Sequence, residues 1–147
     1  MQAPLTASAV MRFLDELEAQ AEAFYQALAA RYAAQGATFS RCAAACAKNR
    51  VLVARTYQET ISDALETGYA FEGLDLAPYA EMPDAAALAN LDAAVQAALA
   101  LEERAARCYE DVADRAESLL ATIPRALRRA AEVRRRNGEM LGRVMAS

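Results

Sequence analysis

The chain has 147 residues, a mass of 15.8 kDa and a formal net charge of −4 at pH 7. This length fits one domain better than two, and 56% hydrophobic residues with only 5 Gly and 4 Pro exclude disordered, collagen-like and low-complexity classes. The absence of His removes the commonest general base and the commonest nitrogen ligand of zinc, haem and iron. The 39 Ala, against 2 Ile and 7 Val, predict an all-α fold without sheets.

The first half of the chain carries two amphipathic segments. Apolar residues that recur at alternate steps of four and three predict a helix over about 8–34 that stops at Gly36. Thr38 is a suitable N-cap for a second helix over about 39–69, because its hydroxyl can accept from a free backbone N–H group. The two helices would form a hairpin over about 8–70.

The second half repeats this plan after a connection. Residues of about 71–83 hold two of the four Pro and show no helical period, so they predict a long crossover between helices 2 and 3. Asp84 is suited to cap a third helix that ends near residue 120. Thr122 and Pro124 open a fourth helix that ends near residue 144, since Pro is tolerated in a helix's first turn. This hairpin would span about 84–145.

The two halves also match residue by residue. At an offset of 84, Glu18 and Tyr25 correspond to Glu102 and Tyr109. At an offset of 88, three pairs match: Arg41 and Arg129, Ala43 and Ala131, and Asn49 and Asn137. The sequence therefore predicts an internally duplicated helical hairpin, folded as one four-helix bundle over 1–147.

Polar residues interrupt the apolar stripes of all four predicted helices. Glu18 and Glu102 lie on the stripes of helices 1 and 3, where an unpaired buried carboxylate is strongly disfavoured. The stripes of helices 2 and 4 carry Cys46, Asn49, Arg134 and Asn137. We expect these six side chains to meet at one level of the core. The alternative is that one or both Glu lie at the edge of the stripe and reach water.

These motifs resemble the ferritin-like superfamily, in particular its rubrerythrin-like branch. Helices 1 and 3 of that branch carry Glu-x6-Tyr, and helices 2 and 4 carry an aromatic or aliphatic residue, then Ala four, Glu seven and His ten residues later. The resemblance covers nearly the whole chain, with Phe39 and Ala43, and Leu127 and Ala131, at the start of the second pattern. It implies a ferritin-like bundle whose Glu and Glu-x-x-His residues hold a di-iron or di-manganese pair.

The chain departs from this pattern at the remaining ligand positions. The two Glu-x-x-His positions read Cys46-x-x-Asn49 and Arg134-x-x-Asn137. Asn is a poor iron ligand, and an Arg guanidinium stays protonated and repels a cation. Four of the six ligands that the resemblance implies are therefore missing, and we expect a vestigial metal site with no cofactor.

Arg134 offers a replacement for the metal charge. Its planar guanidinium can pair with both Glu18 and Glu102, which otherwise have no evident cationic partner. The alternative is that Arg134 points outward with Arg135 and Arg136, which a shift of one residue in helix phase would produce.

The missing metal ligands predict a non-enzymatic binding, structural or regulatory module with no catalytic residues. The alternative is an oxidoreductase or iron-handling protein that uses iron or manganese at a reduced site on Glu18 and Glu102.

The three Cys and two stripe Tyr have alternative interpretations as well. We expect Cys42, Cys46 and Cys108 to be small buried thiols, although a redox pair or a soft-metal site is the alternative. Tyr25 and Tyr109 are expected to be core aromatics near the polar cluster, although they could also carry electrons or bind a substrate oxygen.

Charge and terminal sequence bear on location and partners. No stretch approaches the ~20 apolar residues of a membrane span, the N-terminus lacks a signal-peptide pattern, and three Cys suit a reducing compartment, so we expect a cytoplasmic protein. Residues from 121 onward hold seven Arg and two Glu, which leaves a net charge of −9 elsewhere. With a pI near 4.9, nucleic-acid binding is not expected. We expect a homodimer and leave any protein partner open.

Overall fold

The computed structural model describes residues 5–67 and 69–146. Most of them belong to four α-helices, which are α1 (Ala7–Arg31), α2 (Gly36–Thr67), α3 (Leu91–Arg115) and α4 (Thr122–Ala146). Single turns of 3-10 helix span Ala33–Gln35, Ala77–Tyr79 and Ala85–Ala87. The predicted all-α class with four helices is confirmed.

One short strand pairing adds to the helices. β1 (Leu5–Thr6) pairs antiparallel with β2 (Ala70–Phe71), and Leu5 lies opposite Phe71. The expectation of helices without any sheet was wrong here, because a two-residue pairing is too short to leave a period-two pattern in the sequence.

The turn between the first two helices differs from the expectation. Gly36 was expected to end helix 1, but it has helical dihedral angles (φ −56°, ψ −40°) and begins α2. Thr38 therefore lies inside the first turn of α2 and is not its N-cap. The 3-10 turn at Ala33–Gln35 leads directly into α2, so the chain reverses within the few residues after Arg31.

The start of α3 also differs from the expectation. Asp84 caps only the 3-10 turn at Ala85–Ala87, where its Oδ1 accepts from the N–H of Ala86 at 3.0 Å. Asn90 caps α3 and accepts from the N–H of Ala93 at 2.9 Å. The connection after α2 therefore extends to residue 90 instead of 83, and the second hairpin starts at 91 instead of 84.

The connection between α2 and α3 follows α1 along its length. Its first residues pair with β1, immediately before α1 begins. Near its end, the Nη1 of Arg31, the last residue of α1, donates to the carbonyls of Ala85 at 3.0 Å and Leu88 at 2.6 Å. The chain thus passes from one end of α1 to the other before α3 starts.

The helices pack around two apolar clusters. α1 packs on α2, α3 packs on α4, and α2 also contacts α4. One cluster includes Leu14, Val53 and Tyr109, and the other includes Tyr25 and Phe39. Along the four helices, five buried polar side chains lie between these clusters: Glu18, Asn49, Glu102, Arg134 and Asn137.

Candidate functional site: a buried ion-pair cluster

Seven polar side chains on the helices are buried, with relative exposures of 2% or less. Two are Thr56 and Thr60 of α2, and the other five belong to the predicted cluster: Glu18, Asn49, Glu102, Arg134 and Asn137. Glu18 is 0% and Glu102 2% exposed, so the alternative in which they reach water from the edge of the stripe is wrong. A carboxylate at this depth needs a charged or hydrogen-bonding partner to be tolerated.

Arg134 supplies that partner to both carboxylates. Its Nη1 forms an ion pair with Oε1 of Glu18, and its Nε lies 2.8 Å from Oε2 of Glu102. The Arg134 side chain is fully buried, whereas Arg135 and Arg136 are exposed. The alternative in which Arg134 points outward with its neighbours is therefore wrong, and one guanidinium bridges helices α1, α3 and α4.

The two stripe tyrosines donate hydrogen bonds to the two carboxylates in a crossed arrangement. The hydroxyl of Tyr25 donates to Oε1 of Glu102 at 2.5 Å, and that of Tyr109 donates to Oε2 of Glu18 at 2.7 Å. Each tyrosine thus binds the glutamate of the other half of the chain. Because the earlier residue on α1 meets the later residue on α3, these two helices are antiparallel at the cluster.

Cys46 makes room for the guanidinium. Nη1 of Arg134 lies 3.0 Å from the Sγ of Cys46, and both side chains are fully buried. Cys46 and Arg134 stand 88 residues apart, the offset that relates α2 to α4, so they occupy corresponding positions in the two halves. A small side chain on one helix and a large one on the other fill this space together.

The two asparagines lie at the same level of the core but differ in their hydrogen bonds. Nδ2 of Asn49 donates to the carbonyl of Ala130 at 3.3 Å, which links α2 to α4. Nδ2 of Asn137 and Nη2 of Arg134 are buried donors without an acceptor among residues 5–67 and 69–146. Asn49 therefore has a structural contact, and the α4 side of the cluster retains spare hydrogen-bond donors.

Burial and charge together set the protonation of the cluster. Burial raises the pKa of Glu102 above its ordinary value, although Arg134 and the Tyr25 hydroxyl oppose the rise. Burial acts against the charged form of Arg134, but the attraction of Glu102 and Glu18 outweighs it and raises the arginine's pKa. Since two carboxylates face one guanidinium, a proton held by Glu102 would leave the cluster neutral.

The tyrosines and thiols keep their protons at neutral pH. Burial, followed by the adjacent glutamate charge, raises the pKa of Tyr25 and of Tyr109 well above the ordinary phenol value. Burial raises the pKa of Cys42 and of Cys108 to about 12, and it raises that of Cys46 as well. All three cysteines are free and buried, so none of them is an activated nucleophile.

The residues present do not fit a di-iron or di-manganese pair. Both oxygens of Glu18 are engaged, by Arg134 and Tyr109, and both oxygens of Glu102 face Arg134 and Tyr25. A cation would have to displace a guanidinium that lies between the two carboxylates. Within the described part of the chain, no group of three or more Cys, Asp or Glu side chains is arranged to hold a metal ion.

Comparison of this chain with protein-family models, curated proteins and solved structures gives no match. None of the helices within the described residues is both long enough and apolar enough to cross a membrane.

Proposed function

We propose that this chain is a ferritin-like, rubrerythrin-like bundle in which an internal ion-pair cluster has taken the place of the di-metal site. We further propose that it acts as a non-enzymatic binding, structural or regulatory module. The carboxylates of Glu18 and Glu102 are the residues that the family pattern would assign to the metals, and the guanidinium of Arg134 neutralises them instead.

The position of Arg134 carries this proposal. Its two contacts, with Glu18 and with Glu102, reach carboxylates on two different helices from a position where the family pattern has a glutamate. A permanently charged guanidinium at this point supplies the positive charge that the carboxylates need and leaves no ligand lone pair for a cation.

Two features of the helices support the bundle assignment. The antiparallel crossing of α1 and α3 at the Tyr–Glu pairs is the relationship expected of a duplicated hairpin. The connection that follows α1 from end to end is the course expected of a ferritin-like crossover.

The metal content of the purified protein tests the proposal. The protein is purified without a chelating tag, and its metal content is measured by elemental mass spectrometry. We expect iron, manganese and zinc each to be well below one ion per chain. A stoichiometric content would overturn the proposal and favour the metal-dependent oxidoreductase or iron-handling alternative. The matched control is the double variant Glu18→Gln and Glu102→Gln, because metal that it retains is bound elsewhere on the protein.

A further inference from the structure

Seven cationic side chains line the outer side of the α2 and α4 pair. All are exposed, and together we call them the basic seam: Arg41, Lys48 and Arg55 of α2, with Arg125, Arg129, Arg136 and Arg143 of α4. Along α2 these residues recur at intervals of seven, as do the last three on α4, so each row keeps to one face of its helix.

Contacts between α2 and α4 bring the two rows together. Asn49 binds the backbone of Ala130, and the hydroxyl of Thr122 donates to Glu59 at 2.9 Å, so α2 and α4 run antiparallel. A hollow of about 180 Å³ between the helices is lined by cations from both rows: Arg55, Arg125 and Arg129. The two rows therefore meet at this hollow, and the seven-residue intervals continue each row along its helix.

The seam cations are not held in ion pairs within the described residues, although Glu132 and Glu139 of α4 lie one helical turn from Arg129, Arg136 and Arg143. Among residues 5–67 and 69–146, none of the seven cations forms an ion pair, whereas Arg50 of α2 and Arg128 of α4 pair with carboxylates on the opposite flanks of these helices. Glu59 is the acidic residue that lines the hollow, and Thr122 donates to it. The seam thus presents unpaired positive charge on a protein of net charge −4.

The internal duplication repeats the seam in both halves. At the offset of 88, the three cations of α2 correspond to three cations of α4, in the pairs Arg41 and Arg129, Lys48 and Arg136, and Arg55 and Arg143. The rest of the chain holds 9 basic and 20 acidic residues, a formal charge of −11. The positive charge is therefore concentrated on one pair of helices in a matched, twofold arrangement.

An apolar strip runs between the two rows of cations. Leu52 and Ala126 line the hollow. Val133 and Met140 follow Ala126 at steps of seven on the same face of α4 and are only partly buried. A partner that fits this surface combines an apolar stripe with acidic residues on both sides of it.

We propose that the basic seam binds an acidic amphipathic helix of a partner protein. Intervals of seven residues repeat every ~10.5 Å, which is the spacing at which a partner helix presents the same face again. A nucleic-acid backbone would leave the apolar strip unused, and the seam has no aromatic side chain on which a base could stack. A second copy of this chain related by a twofold axis would set cations against cations.

A synthetic peptide tests this inference separately from the metal content. The probe has about three heptads, with Leu on one stripe and Glu on both flanks, and its binding is measured by fluorescence anisotropy. We expect saturable binding that weakens about tenfold or more in the double variant Arg129→Gln and Arg136→Gln, and that weakens with added salt. The matched control, Arg12→Gln with Arg107→Gln, removes two exposed cations elsewhere and should bind like the parent.

The inference is wrong if the parent shows no saturable binding, or if the seam and control variants lose equal affinity for the peptide. It is also wrong if a peptide of the same composition without the apolar stripe binds equally well. Finally, it is wrong if a DNA duplex of about 20 base pairs binds more tightly than the peptide. The last result would assign the seam to nucleic acid instead. Circular dichroism checks that the exposed substitutions leave the helices intact.

Discussion

The guanidinium of Arg134 meets the thiol of Cys46 at 3.0 Å, although the two residues stand at the same position in the two halves of the chain. Two arginines at these corresponding positions would bring two cations together and overfill the core, whereas two cysteines would leave both glutamates without a cation. With one cysteine and one arginine at the corresponding positions, a single guanidinium pairs with both Glu18 and Glu102 in the core.

Replacing Arg134→Ala should lower the free energy of unfolding by about 3–5 kcal/mol, because it leaves two buried carboxylates without their cation. Urea denaturation followed by circular dichroism measures the loss. The matched control is Arg136→Ala, an exposed arginine on the same helix, which should change stability by less than about 0.5 kcal/mol. Equal stability of the Arg134→Ala variant and the parent would contradict the charge-neutralising role.

The two crossed tyrosines should contribute similar amounts to each other to the free energy of unfolding. Tyr25→Phe and Tyr109→Phe each remove one hydroxyl that donates to a buried glutamate, so each should cost about 1.5–3 kcal/mol. Thermal and urea unfolding of the two variants measure this cost. Tyr57→Phe, at an exposed tyrosine, serves as the control. A neutral effect at either core position would show that its hydrogen bond does not stabilise the fold.

Stability should depend on pH through Glu102. Its pKa is raised by burial above the ordinary value of 4.5, so the folded protein holds this proton more tightly than the unfolded chain does. The contribution of Glu102 is therefore complete below about pH 4.5 and declines as pH rises through the folded pKa. We expect the unfolding free energy of the parent, relative to Glu102→Gln, to fall across this range. A relative stability that rises with pH would contradict the raised pKa.

The thiols should react slowly in the folded protein. Cys42 and Cys108 have pKa values raised to about 12, and all three cysteines are buried, so few thiolates are available at pH 8. A colorimetric thiol reagent should label few or none of them before unfolding and all three in denaturant. Rapid labelling of Cys46 in the native protein would instead support the redox alternative.

Sequence periodicity predicted the four helices and placed the polar residues at one level, since both follow from which side chains share a helical face. It did not predict where α3 begins. Asp84 and Asn90 are both good caps and Ala is common between them, so local propensity does not separate them. A residue from a distant part of the chain favours the later start. Arg31 donates to the carbonyls of Ala85 and Leu88, which a longer α3 would use for its own hydrogen bonds.

The crossed Tyr–Glu partners do not follow from the sequence, whereas the basic seam leaves a signal in it. Both Tyr–Glu pairs join residues more than seventy positions apart, and only the packing of α1 and α3 determines which tyrosine meets which glutamate. The composition of helix 4 shows its excess of arginine, whereas composition does not show the matching row on α2. The signal of that row is the interval of seven residues and its repetition at an offset of 88.

A crystal structure of the protein grown with excess Mn²⁺, with anomalous diffraction data, distinguishes an ion-pair cluster from a metal site. We expect guanidinium density for Arg134 between Glu18 and Glu102 and no anomalous peak beside either carboxylate. A Mn²⁺ peak at about 2.2 Å from both carboxylates, with Arg134 displaced from between them, would contradict it.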